Sequence, residues 1–239
     1  MGSVFRLGVI AVAFALLLVC VLDISAAQTS GIINHGPRDV NKVAISFDDG
    51  PDHSFTAELL DILQENHVHA TFFVVGEMVK KSPDAVHRIL AEGHTLGNHS
   101  FDHPNLTQIP PEKLETELDH QIGDTNHLVM ELTEKRMNLF RTPYGAINNE
   151  IIADINAKGF SIIHWDVDTR DWDKSITADK IVETVKEQIQ PGSIILMHSA
   201  PWINKDRLQA IQEIIDYVRS KNLELVTIDE LLSIQAYGE

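Results

Sequence analysis

Val43-Ala44-Ile45-Ser46-Phe47-Asp48-Asp49-Gly50-Pro51-Asp52 is the stretch on which the reading of this chain turns. Residues 43–47 form a short apolar run of the kind that makes a strand buried on both faces. The run ends in two adjacent carboxylates, and Gly50-Pro51 then turns the chain sharply. Carboxylates at the end of a buried strand are costly unless a cation or hydrogen-bond donors compensate them. The bland reading is a capping turn, with Asp52 or Ser54 starting the next helix.

The same pattern recurs downstream. Apolar runs at 71–75, 94–97, 139–141, 161–165, 193–197 and 223–227 alternate with amphipathic stretches at 55–65, 84–92, 111–134, 149–158, 177–190 and 207–222. Leu59, Leu60 and Leu63 lie at helical spacing in the first of these stretches. Ser82-Pro83-Asp84 opens the second, Gly93 closes it, and Pro191-Gly192 precedes the sixth strand. Strand–helix alternation of this kind predicts a parallel sheet with right-handed crossovers. About seven repeats close or nearly close a barrel, so the expected fold is α/β, a distorted (β/α) barrel of about seven parallel strands. Chemistry in such folds gathers where the strands end, so polar clusters should follow the strands rather than precede them.

They do. The third run leads into Asn98-His99-Ser100-Phe101-Asp102-His103, where one helical turn would bring His99 and His103 to the same side as two nitrogen ligands of one metal. With 12 histidines in the chain such a pair also arises by chance, and His67 and His69 read as a surface pair. The fourth run ends at Arg141-Thr142-Pro143-Tyr144-Gly145, and an arginine leaving a buried strand needs a carboxylate partner. The fifth leads into Asp166, Asp168, Asp171 and Trp172, and the sixth ends in Leu196-Met197-His198-Ser199.

The rest of the chain bounds what this machinery can serve. A length of 239 residues suits one sizeable domain. The net charge of −16 repels nucleic acid and anionic membranes, so no nucleic-acid partner is expected. Arg6, an unbroken apolar run over 7–22 and the small residues Ser25, Ala26 and Ala27 read as an export signal cleaved after Ala27; an uncleaved membrane anchor is the alternative. Residues 28–41, polar with Gly31, Gly36 and Pro37, read as a linker, and 42–235 as one domain. The only cysteine, Cys20, falls inside the signal, so the mature chain would form no disulfide.

Taken together and in order, Ser46-Phe47-Asp48-Asp49-Gly50, His99-Ser100-x-x-His103, Arg141-Thr142-Pro143-Tyr144-Gly145, Asp171-Trp172 and Leu196-Met197-His198 resemble the five motifs of the polysaccharide deacetylase family, also called the NodB-homology or carbohydrate esterase family 4 domain. The resemblance runs from about Lys42 to Ser233. It implies a hydrolase that removes N-acetyl groups from N-acetylglucosamine-containing glycans, chitin oligomers or peptidoglycan, and releases acetate. It further implies Asp48 as catalytic base, Arg141 as the residue that orients it, and Asp49, His99 and His103 as ligands of one divalent metal. His198 would be the catalytic acid tuned by Asp171, the Tyr144 backbone N–H would hold an oxyanion, and Trp172 and Leu196 would line the substrate groove. The ligand set makes Zn²⁺ the first expectation, with Co²⁺, Ni²⁺, Mn²⁺ or Fe²⁺ also accepted by such donors. Ser46 stands where threonine is commoner. Ser199 stands where aspartate is common, which leaves open whether Asp168 shares in tuning His198. The alternatives are cleavage of O-acetyl esters, as on xylan, and a non-catalytic carbohydrate-binding domain. After signal cleavage the protein is expected to be secreted, extracellular or periplasmic, without stable membrane association.

Overall fold

The computed structural model describes residues 31–200 and 202–238, so the expected export signal lies outside the described residues. In chain order the strands are β1 (Ile32–Ile33), β2 (Lys42–Gly50), β3 (Thr71–Val74), β4 (Thr95–Asn98), β5 (Arg136–Met137), β6 (Leu139–Phe140), β7 (Ser161–Ile163), β8 (Val167–Asp168), β9 (Ile194–His198), β10 (Glu224–Val226) and β11 (Tyr237–Gly238). The helices are α1 (Phe55–Glu65), α2 (Gly76–Lys81), α3 (Pro83–Ala91), α4 (Pro111–Leu118), α5 (Thr125–Thr133), α6 (Asn149–Ala157), α7 (Ala178–Gln188), α8 (Arg207–Ser220) and α9 (Ile228–Leu232).

All seven apolar runs become strands of one nine-stranded sheet, ordered β1-β7-β6-β4-β3-β2-β9-β8 with β10 on β2. Its ladders are parallel throughout. Among the described residues β1 and β8 end the path without pairing, so the barrel is distorted and open. The two-residue periodicity of the strands sorts the core. Val43, Ile45, Phe47 and Phe72 join α1, α7 and α8 in an outer layer, where Phe47 stacks on Phe72. Ala44, Phe73, Leu139, Ile163 and Ile194 face the barrel interior, which Ile228 and Leu231 of α9 also fill.

Gly97 of β4 leaves room for this interior: a Cβ there would lie 2.4 Å from the Phe73 ring. Gly97→Ala should therefore lower stability by about 1–3 kcal/mol, the cost of overpacking, measured by urea denaturation. An unchanged midpoint would mean that Phe73 moves aside freely.

The structure departs from the sequence reading in several places. Residues 31–41, within the expected linker, pack against the sheet, and Ile32–Ile33 form one of its strands. Ile32 pairs with Ile162, the Gly36 N–H donates to the Gly192 carbonyl at 2.7 Å, and Arg38 reaches Asp166 at 2.7 Å. Their polar, glycine-containing composition hides these contacts because the partners are distant in sequence. The stretch 111–134 is not one regular α-helix: a π-helical turn, Asp119–Asp124, separates α4 from α5. Finally, α2 and α9 are too short for a periodic signal to announce them. None of the described helices is long and apolar enough to cross a membrane.

Candidate active site

Adjacent residues of a strand normally point to opposite faces, yet Asp48 and Asp49 line the same cavity. The register of β2 against β3 shifts between Asp48 and Gly50, and Asp49 adopts φ 69°. Such an irregularity re-aims one side chain, so both carboxylates reach the barrel mouth. The helix that follows is capped by another residue: Asp52 Oδ1 accepts from the Ser54 and Thr56 N–H groups at 3.0 and 2.9 Å. The capping and the acid pair are thus separate features.

Asp48 is buried and receives a 2.7 Å hydrogen bond from Arg141 Nη1. Arg141 is itself fully buried and makes three further bonds: Nη1 also donates to Ser46 Oγ at 2.8 Å, Nε to the Ile163 carbonyl and Nη2 to the His164 carbonyl. Burial pushes the pKa of Arg141 down and Asp48 opposes the shift. The guanidinium also lies 4.0 Å from the Phe73 ring centroid. Ser46 Oγ in turn donates to the Ile195 carbonyl at 2.9 Å, so a hydroxyl at this position ties β2, β9 and the arginine together.

His99 and His103 come together, but not through a helical turn. They sit in a loop that places Ser100 at φ 69° and His103 at φ 62°, conformations that cost energy in non-glycine residues and need external support. The π-helical turn supplies it. Gln121 Oε1 accepts from the Phe101 N–H at 2.8 Å and from the Asp102 N–H at 3.2 Å, and Gln121 Nε2 donates to Asp102 Oδ1 at 2.7 Å. Asn98 Nδ2 donates to the Ile122 carbonyl. The sequence reading missed Gln121; a buried glutamine within an amphipathic stretch was the only signal. Insertions of this kind in helices often accompany functional sites.

The donor atoms of Asp49, His99 and His103 lie within 4.8 Å of one another. The Nε2 atoms of His99 and His103 are 3.3 and 3.1 Å from Asp49 Oδ1, yet that buried oxygen has no hydrogen-bond partner of good geometry among the described residues. His99 Nδ1 lies 2.8 Å from the Arg141 carbonyl. A carbonyl can only accept, so Nδ1 carries the proton and Nε2 keeps its lone pair for a ligand. Burial alone would raise the Asp49 pKa, but the two imidazoles hold its carboxyl well below the usual range. An orphaned buried oxygen beside two imidazole nitrogens fits a divalent cation.

Across the cavity, His198 Nδ1 donates to Asp171 Oδ1 at 2.6 Å, and the His198 backbone N–H donates to Asp171 Oδ2 at 2.8 Å. Burial disfavours charge on this imidazole; the Asp171 carboxylate more than offsets that and lifts its pKa to about 9. Asp168 instead accepts from the Arg170 N–H, so Asp171 is the carboxylate bonded to His198. The cavity, about 510 Å³, is lined by every site residue singled out in the sequence except Arg141 and Asp171. Those two stand behind it, bonded to Asp48 and His198 respectively. Tyr144 is 69% exposed at φ 60° with its ring 4.6 Å from His103. Trp165, Trp202 and Thr142 also line the cavity. Thr142 Oγ1 is hydrogen-bonded to His164 Nε2 at 2.9 Å, and burial pushes the pKa of that imidazole down to about 4.

A parallel open barrel whose strand ends gather acid–base groups and a candidate cation site around one cleft defines a hydrolase of the α/β-barrel class. Comparison with known proteins identifies the family. Residues 35–163 match the family model described as polysaccharide deacetylase, and the chain belongs to that family. It is 38% identical over 197 residues to the peptidoglycan-N-acetylglucosamine deacetylase of Bacillus cereus, a match that covers 82% of this chain and 70% of that one. It is 39% identical over 198 residues to the peptidoglycan-N-acetylglucosamine deacetylase PgdA of Listeria monocytogenes, where the match covers 83% of this chain and only 39% of the relative. A solved structure of the Bc1960 peptidoglycan N-acetylglucosamine deacetylase superposes with a TM-score of 0.81 at 35% identity, covering 86% of this chain and 94% of that one.

Proposed function

We propose that this protein hydrolyses the N-acetyl amide of N-acetylglucosamine units in peptidoglycan or chitin-type oligomers, releasing acetate and leaving a free amine. The observation that carries the reading is the pairing of two buried dyads, Arg141–Asp48 and Asp171–His198, on opposite sides of one cavity that also holds the Asp-His-His cluster.

An amide is a poor electrophile and its amine a poor leaving group, so the site needs a base, a sink for negative charge and an acid. Asp49, His99 and His103 would hold a divalent ion, Zn²⁺ by the chemistry of its donors, although Co²⁺, Ni²⁺, Mn²⁺ and Fe²⁺ accept the same set. Bound there, the ion would supply Lewis acidity toward water and the amide carbonyl. Asp48 takes the proton of the attacking water. Its Oδ1 is engaged by Arg141, which leaves Oδ2 as the proton acceptor. The Tyr144 N–H contributes to holding the negative charge that develops on the carbonyl oxygen. His198, with Nδ1 committed to Asp171, delivers its proton from Nε2 to the departing nitrogen. Trp172 and Leu196, which line the cavity, would wall the substrate groove. The signal-like N-terminal sequence and the names of the peptidoglycan deacetylase relatives support a secreted site of action.

The direct test is acetate release from an N-acetylglucosamine oligomer and from peptidoglycan, with metal stripped by a chelator and then restored. Release that requires the metal supports the proposal; no release from any N-acetylated glycan after metal is restored sinks it. A second measurement probes the acid. His198 must be protonated to act, so activity is kept below its pKa and lost as pH rises through it. Asp171→Asn removes the charge that raises that pKa and should shift the basic limb of the pH–rate profile to lower pH. An unmoved limb would assign the proton to another group.

A further inference from the structure

We infer that the cavity next to the catalytic cleft is a subsite for a carboxylate carried by the sugar adjoining the reacting one; the inference rests on the glycan-deacetylase reading above. Trp172 and Trp202, 47% and 49% exposed, line both the catalytic cavity and a second one of about 210 Å³. Arg207, the first residue of α8, lines this second cavity together with Lys174, Asn204 and Asp171, whose carboxylate is bonded to His198.

Arg207 is only 6% exposed, yet among the described residues it has no ion-pair partner, its Nε is buried without a hydrogen-bond acceptor, and its Nη2 reaches only the Asp173 carbonyl at 3.4 Å. A buried guanidinium without an anion is costly. The contrast within the molecule is direct, because fully buried Arg141 is bonded to Asp48 at 2.7 Å. The chain carries 35 acidic and 19 basic side chains, so acids to neutralise Arg207 were plentiful. The acids around it are committed elsewhere: both Asp171 oxygens to His198, the Asp173 carboxylate to Arg170 and Ser175, and Asp206 Oδ2 to Asn204. The start of α8 adds its own positive end. The geometry leaves the anion to be supplied by the ligand. A glycan lying over the two tryptophans would present the substituents of its neighbouring sugar to this cavity. The carboxylate has two chemical sources there, the lactyl ether of N-acetylmuramic acid and the C6 carboxyl of a uronic acid.

The test is calorimetric binding of four tetrasaccharides to the full protein: an alternating N-acetylglucosamine–N-acetylmuramic acid oligomer, its methyl ester, a hyaluronan tetrasaccharide bearing glucuronate, and neutral chitotetraose. The wild type should bind the muramic acid form, the hyaluronan form, or both more tightly than the neutral controls, by about tenfold for a charge-assisted contact. Which acid gains identifies the source. The advantage of acid over neutral glycan should collapse in Arg207→Met and persist in part in Arg207→Lys. Wild-type binding in which neither acid exceeds the neutral controls overturns the inference, as does an undiminished preference in Arg207→Met. The acid-to-ester comparison uses wild type alone, so it decides the matter even if Arg207→Met does not fold. Acetate release is read separately: a carboxylate preference without release from any glycan would count against the deacetylase reading and leave the subsite standing.

Discussion

Asp48→Asn is expected to cut turnover by about 10²–10⁴-fold, the usual loss for a general base, while metal content stays unchanged. The substitution keeps the size of the side chain and leaves an oxygen able to accept from Arg141 Nη1, but it removes the basic site for the water proton. The metal should remain because Asp48 is not among the converging donors Asp49, His99 and His103. The variant should also be less stable, since Arg141 is fully buried and loses its only anionic partner among the described residues. Uncompensated buried charges cost about 3–5 kcal/mol, with the retained hydrogen bond reducing that loss. Single-turnover rates, bound-metal stoichiometry and urea denaturation of one preparation separate the three effects. A near-normal rate with intact metal would remove Asp48 from the role of base.

His99→Ala is expected to lose the metal itself. Outer partners of a metal ligand typically account for about 10–100-fold in affinity, and removing a ligand should exceed that. His99 links both halves of the site: Nδ1 is held by the Arg141 carbonyl, and Nε2 lies 3.3 Å from Asp49 Oδ1 and 3.7 Å from Asp48 Oδ2. Chelator competition with zinc measures the affinity, and acetate release at saturating zinc shows what the remaining ligands sustain. Wild-type zinc affinity in His99→Ala would place the ion elsewhere.

The two variants divide the site as the chain does. Asp48 and Asp49 are neighbours in sequence, but a register shift and one left-handed residue give them different partners. The candidate subsite around Arg207 follows the same logic on the far side of the tryptophans, where a buried cation has no anionic partner among the described residues.

Local physics made much of this legible in the amino-acid sequence. Seven short apolar runs separated by amphipathic stretches determine seven of the nine strands of the parallel sheet, since burial on both faces leaves a continuous apolar signature. The order of the polar clusters then determines which residues stand at the strand ends. What tertiary structure alone decided is pairing and aim. Arg141 lies 93 residues from Asp48, and the choice of Asp171 over Asp168 for His198 depends on how β8 and β9 align. Gln121 clamps the histidine loop through a π-helical turn that hydrophobic periodicity does not reveal. The docking of residues 31–41 on the sheet, with Ile32–Ile33 as a strand, depends on distant partners in β7 and around Gly192. Apolar patterning is written between near neighbours in the chain, whereas a hydrogen bond between distant residues exists only once folding has brought them within 3 Å or so.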